Sequence, residues 1–385
     1  LAAFAVRRAT SLEGALKYFL LGAFSSAIFA YGIAMMYGYA GTVDFAGIAE
    51  AARAGGAGGP TGGAGVGGDD TLALIGVALV SVGLLFKVGA VPFHNWTPDV
   101  YQGAPTAITA FMAAAVKVAA FGAILRFFLV AVPGLESQWQ PVLLAVAALT
   151  MVLGTVVGVT QNDVKRLLAY SSVAHAGFLL TGVIGGTGAA AIGAPGSGSG
   201  LAGSGVTATL FYLAAYAAST VGVFAVSGLV RDSEGAEITD LRSWTGLGRR
   251  QPVIAAAFAV LLLALAGIPL TSGFIAKFAV FSAAVDAGAV WLVVLGVLSS
   301  AVAASFYVRV IVVMFFRESP DDAGAVGGDV GAGSGAGAGT GTGTGTGTDG
   351  AGAGAEAGVV DSAPTVAFVQ RPAALAVVGV TVAIT

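Results

Sequence analysis

The chain has 385 residues, 57% of them hydrophobic and only 10% charged, with a formal net charge of −3. A soluble domain carries roughly a quarter charged residues, so this composition excludes one and points to a polytopic membrane protein. There is no cysteine, which excludes disulfides, thiolate metal sites and iron–sulfur ligation, and the only two histidines, His94 and His175, are far apart in sequence, which argues against a haem or histidine metal centre.

About 20 apolar residues cross the hydrocarbon core of a bilayer as a helix. Spans are therefore expected at Leu16–Tyr39, Thr71–Val91, Pro105–Val132, Pro141–Thr160, Leu167–Ile184, Val206–Val230, Pro252–Val285 and Gly288–Phe316, with a ninth beginning near Pro364. In the first, Glu13 and Lys17 are four residues apart and suit a helical ion pair. The second ends in "LLFKVGAVPFHNW", where Lys87 and His94 flank Pro92. Proline removes a backbone donor and clashes with the preceding turn, so the span is expected to break there. His94 could bond the freed carbonyls or help carry protons. Asp99, in "TPDV", reads as a turn or helix-cap residue.

The third span holds Lys117, 12 residues from Pro105 and 15 from Val132. At 1.5 Å per residue it lies about 18 Å from either end, too far for its ammonium to reach the headgroups. A charge at that depth costs about 3 kcal/mol on insertion scales and needs a polar partner or cavity. Lys17, Arg126 and Arg309 lie near span ends and can snorkel. His175, in "YSSVAHAGF", is either a hydrogen-bonded core residue or a member of a proton relay. The seventh span carries a second break, "LAGIPLTSGFIAKF", followed by Lys277. Ionisable groups beside broken helices in two halves of a chain suggest a transporter built from inverted repeats.

The segments Ala51–Gly68, Gly185–Gly205 and Ala323–Gly358 are Gly-rich and read as flexible loops. The expected organisation is a transmembrane domain over 1–316, a Gly-rich loop over 317–363 and the start of a last helix over 364–385. A first residue that is not Met and a last segment too short to span make the chain read as a fragment. With alternating spans, Arg7, Arg8, Lys165, Arg166, Arg231, Arg242, Arg249, Arg250, Arg317 and Arg371 fall on one side and only Arg53 on the other. The positive-inside rule makes the first side cytoplasmic.

The stretches "SLEGALKYFLLGAFSSAIFAYGIA", "LLFKVGAVPFHNWTPDVYQGAPTAITAF", "QNDVKRLLAYSSVAHAGF" and "GIPLTSGFIAKF" together resemble the antiporter-like membrane subunits of proton-translocating NADH–quinone oxidoreductase, respiratory complex I. "PDVYQGAP" is similar to the N type among them. The resemblance runs from the N-terminus to about Phe316. It implies an all-α fold with inverted repeats and two broken transmembrane helices. It also implies a proton path through Lys87, Lys117 and Lys277, with His175 as a relay, while Glu13 and Lys17 are weaker candidates. The family's key glutamate lies upstream of Leu1, so its pairing with Lys87 is not seen here. No redox cofactor is implied for this chain; NADH, flavin, iron–sulfur clusters and quinone belong to partner subunits. The expected partners are the other membrane subunits, the lipid bilayer of a bacterial or archaeal cell membrane, and protons, with no nucleic acid. The competing readings are a subunit of a multisubunit cation/proton antiporter and a transport-inactive scaffold.

Overall fold

The structure is a computed structural model and describes residues 9–53, 71–187, 205–232, 235–317, 367–368 and 372–385. Its helices are α1 (Ala9–Ala40), α2 (Phe45–Arg53), α3 (Thr71–Val88), α4 (Trp96–Gly103), α5 (Thr106–Ala131), α6 (Glu136–Val159), α7 (Val164–Ile184), α8 (Gly205–Ser227), α9 (Pro252–Ala266), α10 (Ser272–Asp286), α11 (Val290–Phe316) and α12 (Pro372–Ile384). Among the described residues, α1, α3, α5, α6, α7, α8 and α11 are each long and apolar enough to cross a membrane.

Both interruptions occur where proline and glycine sit. After α3, Gly89 takes the left-handed conformation at φ 72° and the chain turns through Pro92 before α4 begins. The Val91 amide donates to Thr150 Oγ1 of α6 at 3.0 Å, and the Trp96 indole donates to the Phe86 carbonyl at 3.0 Å. Backbone groups freed by the break are thus met from inside the bundle. The expected single span Pro252–Val285 is two half-helices, α9 and α10. Gly267 closes α9 at φ 81°, and Leu270 is held at φ 79°, a region that side chains with a Cβ rarely occupy. The third span stays continuous but contains two π-helical turns, Met112–Val116 and Phe127–Ala131, the first ending at Lys117.

Helix α7 is the axis of the bundle. Nearly all its residues are buried, and it packs on α4, α6, α8 and α10. It approaches α6 so closely that a Cβ on Gly154 would lie 2.6 Å from the Ala174 nitrogen. Its expected start at Leu167 is corrected to Val164, because Asp163 caps it by accepting from the Arg166 amide at 2.9 Å. By contrast α1 presents Leu16, Phe19, Leu20, Phe24 and Tyr31 outward, as a lipid-facing helix would.

Two elements were not expected. Helix α2 takes in Ala51–Arg53, the start of the first Gly-rich segment. A two-stranded antiparallel ribbon pairs Val230–Arg231 with Ala367–Phe368. The rest of that Gly-rich segment from 54 on, residues 188–204 of the second, all of Ala323–Gly358, and Arg7, Arg8 and Arg371 lie outside the described residues.

Candidate functional site

The chemistry centres on the N-terminal half of α7. Four of its residues, Lys165, Ser171, Ser172 and His175, are polar and almost completely buried. Ser171 and Ser172 lie four and three residues before His175, so all three share one side of the helix.

Lys117 is 3% exposed and lies directly after the π-turn of α5. Its ammonium donates to Ser172 Oγ at 2.6 Å and to the Ser172 carbonyl, and it sits 5.1 Å from the centroid of the Tyr216 ring on α8. The Tyr216 hydroxyl donates to the same Ser172 Oγ at 2.9 Å, and Tyr101 OH of α4 approaches it at 3.4 Å. Ser172 is therefore the junction of three helices and one lysine.

His175 lies one turn further on. Its Nδ1 is 2.7 Å from Tyr212 OH on α8 and its Nε2 is 3.2 Å from Tyr307 OH on α11. Tyr307 OH in turn bonds Ser171 Oγ. The imidazole thus joins two hydroxyls, and every link can pass a proton by exchanging donor and acceptor roles. The His175 ring lies 5.0 Å from that of Tyr216, which brings the Lys117 group and the histidine group side by side.

Lys277, 5% exposed on α10, answers the second break. Its ammonium donates to the Leu265 carbonyl at 3.1 Å and the Ala266 carbonyl at 2.7 Å, the exposed end of α9, and to Ser300 Oγ of α11 at 2.9 Å. A cation at a helix C-terminus meets both the orphaned carbonyls and the negative end of the helix dipole. Gly267 leaves room for it, since a Cβ there would fall 2.9 Å from Lys277 Cδ. The buried ring of Phe178 neighbours both Lys277 and His175, 5.0 Å from the ammonium and 5.8 Å from the imidazole, centre to centre.

Lys117, His175 and Lys277 are therefore gathered around α7. Lys87 is not part of that group: it is half-buried, its ammonium lies 5.7 Å from the Tyr18 ring of α1, and no hydrogen bond among the described residues ties it to Lys117. His94 has a buried Nδ1 with no hydrogen-bond partner among the described residues, and its ring meets Tyr170 edge-on. Neither Lys117 nor Lys277 has a carboxylate partner among the described residues.

Glu13 and Lys17 do form the expected pair, at 2.6 Å, but on the rim of the bundle. Lys17 also bonds Asp99 at 2.7 Å, and Asp99 bonds Arg166 at 2.8 Å. Asp99 is thus a link between α1, α4 and α7 rather than a cap; it falls inside the first turn of α4, whose N-cap position is Asn95. Arg309 reaches the end of a span, as expected, and is bound there. It donates to the Val159 carbonyl at 2.9 Å and to the Gln161 carbonyl, closing the C-terminus of α6. Lys165, counted from the sequence among exposed loop charges, is 1% exposed and pairs with Glu237 at 2.5 Å.

Sequence reasoning passed over Tyr101, Tyr212, Tyr216, Tyr307, Ser300 and Glu237. The four-residue spacing of Tyr212 and Tyr216 in an otherwise apolar span was the available signal. Among the described residues there is no group of three or more side chains suited to a metal ion.

Residues 1–303 match the family described as NADH:quinone oxidoreductase/Mrp antiporter, transmembrane. The chain belongs to that family. An NADH-quinone oxidoreductase subunit N from Rhodococcus opacus (strain B4) is 61% identical over 320 residues, which is 83% of this chain and 54% of the relative. The chain thus spans about half the length of the curated relatives it matches. A chain of respiratory complex I from Thermus thermophilus superposes with a TM-score of 0.64 at 37% identity, covering 84% of this chain and 66% of that one. A chain of the Mrp complex from Dietzia sp. DQ12-45-1b does so with a TM-score of 0.66 at 26% identity, covering 80% and 52%. The expected fold class is therefore right: an all-α, multi-pass membrane protein of the antiporter-like type, with two broken helices.

Proposed function

We propose that this chain is part of a membrane-arm subunit of an NADH–quinone oxidoreductase and moves protons across the membrane, driven by redox chemistry in partner subunits. The observation that carries this is the pair Lys117 and Lys277, both buried in the apolar body without a carboxylate partner among the described residues, on either side of a His–Tyr–Ser network. Such lysines are costly as fixed charges, and a group that gains and loses a proton avoids holding that cost permanently. Lys117 and Lys277 act as proton-holding groups and His175 as the relay. Lys87, at the first break, acts as a further holding group. NADH, flavin, iron–sulfur clusters and quinone stay in partner subunits. The end of the bundle bearing Arg166, Arg231, Arg242, Arg249, Arg250 and Arg317 faces the cytoplasm.

The test is proton uptake per NADH oxidised in sealed vesicles containing the assembled complex. Lys117→Met and Lys277→Met should each lower that ratio while assembly persists. Arginine at Lys117 keeps the charge but does not release its proton, so it should not rescue. Wild-type ratios in both methionine variants would refute the role. The likeness to the Mrp chain favours a second reading, cation/proton exchange. That reading requires sodium- or potassium-dependent proton movement in vesicles without NADH.

A further inference from the structure

Lys277 fills a seat whose chemistry is not peculiar to lysine. In an unbroken helix the Leu265 carbonyl would accept from the amide of residue 269, but that residue is Pro269, which has none. Ala266 is the last residue of α9, and Gly267 turns the chain away at φ 81°. The break thus leaves two carbonyls together at the negative end of α9. With Ser300 Oγ they surround the Lys277 ammonium at 3.1, 2.7 and 2.9 Å, and the Phe178 ring centre lies 5.0 Å from it. No carboxylate pairs with it among the described residues. Two backbone carbonyls and a hydroxyl converging on one point can hold any single positive charge, and carbonyls at helix breaks coordinate alkali cations in membrane transporters. A cavity of about 310 Å3, lined by Gly267, Lys277 and Ser300 among others, adjoins the seat and has room for water.

We propose that Lys277 is a tethered plug: its ammonium occupies a seat that a potassium-sized cation would otherwise take, which keeps this part of the path specific for protons. An ammonium group and a potassium ion are nearly the same size, so oxygens spaced for one suit the other. A sodium ion is smaller and would need all three oxygens to close in. The covalent tether gives the ammonium an effective concentration that a free ion must overcome. This inference rests on the transport role of Lys277 and adds that the residue decides which cation is carried.

The test is equilibrium binding of radioactive rubidium, a potassium substitute, to the purified assembled complex in detergent at constant ionic strength. Lys277→Ala should acquire one saturable rubidium site that the wild type lacks, displaced by potassium more readily than by sodium. Lys277→Gln keeps the length without the charge and should gain the same site, which covers failure of the alanine variant to assemble. Adding Ser300→Ala removes one of three oxygens and should weaken the new site about tenfold. Lys277→Arg retains a fixed cation and should bind no more rubidium than the wild type. Absence of a new site in both uncharged variants, a new site indifferent to Ser300→Ala, or equal binding in Lys277→Arg and Lys277→Ala would overturn the plug. The measurement uses no NADH and no vesicle, so its failure is read separately from any failure of proton uptake.

Discussion

Substituting Glu237 tests how the rim of the bundle is held. Glu237 bonds the Lys165 ammonium at 2.5 Å, accepts from the Thr106 amide at 3.2 Å and lies 3.5 Å from Arg231. Lys165 also donates to the Ala104 carbonyl at 3.0 Å. The carboxylate thus fixes the joint between α4 and α5, and the start of α7, in one place. Glu237→Ala removes the counter-charge of a lysine that is 1% exposed and takes the acceptor from the Thr106 amide. Breaking a buried pair from one side costs about 3–5 kcal/mol, a factor of 100 or more in the folding equilibrium. Lys165→Met should cost about 2–3 kcal/mol, because Glu237 keeps Arg231 and is 11% exposed. The double variant Glu237→Leu with Lys165→Met removes both charges and should recover most of the loss. The assay is denaturant unfolding of the purified protein in mild detergent, read as a double-mutant cycle. Single-variant losses that simply add in the double variant would refute the reasoning.

The same carboxylate gives a pH dependence. Burial works to raise its pKa, but Lys165 and the hydrogen bonds from Lys165 and Thr106 outweigh this and hold it below the ordinary value. A lowered folded pKa stabilises above the unfolded value of about 4.3 and loses that contribution as pH falls through the folded one, so Glu237→Gln should flatten the acid limb of a melting-temperature profile. Gly154→Val should abolish stable accumulation, because its side chain would meet the backbone of Ala174; Gly38→Ala, which meets nothing within 4 Å, should match wild type on the same immunoblot. Tyr212→Phe keeps the ring but removes the partner of His175 Nδ1, so proton uptake per NADH should fall with electron transfer unchanged.

The helices were legible because apolar runs of span length leave little choice in a bilayer, and the depth of Lys117 followed from helix rise alone. Both breaks were marked by Pro92 and by Gly267 with Pro269. The partners were not legible. Lys165 looked like one more loop arginine or lysine because its burial depends on Glu237, 72 residues later, folding back over it. Asp99 looked like a cap because its neighbours Lys17 and Arg166 come from two other helices. The four tyrosines were passed over, because their hydroxyls find partners only where α4, α8 and α11 meet α7.

Phe178 has a consequence of its own. Proton hopping needs an unbroken file of oxygen and nitrogen atoms, and a phenyl ring supplies none. On the His175 side the file runs through tyrosine and serine hydroxyls; on the other side it resumes at Lys277. The ring is an apolar neighbour of both groups. Charge placed on one side is felt on the other, because Coulomb's law acts across such a gap with little screening. A proton held at Lys277 and one held at His175 would thus each change the field at the other, which makes Phe178 the place where the two groups are coupled through space.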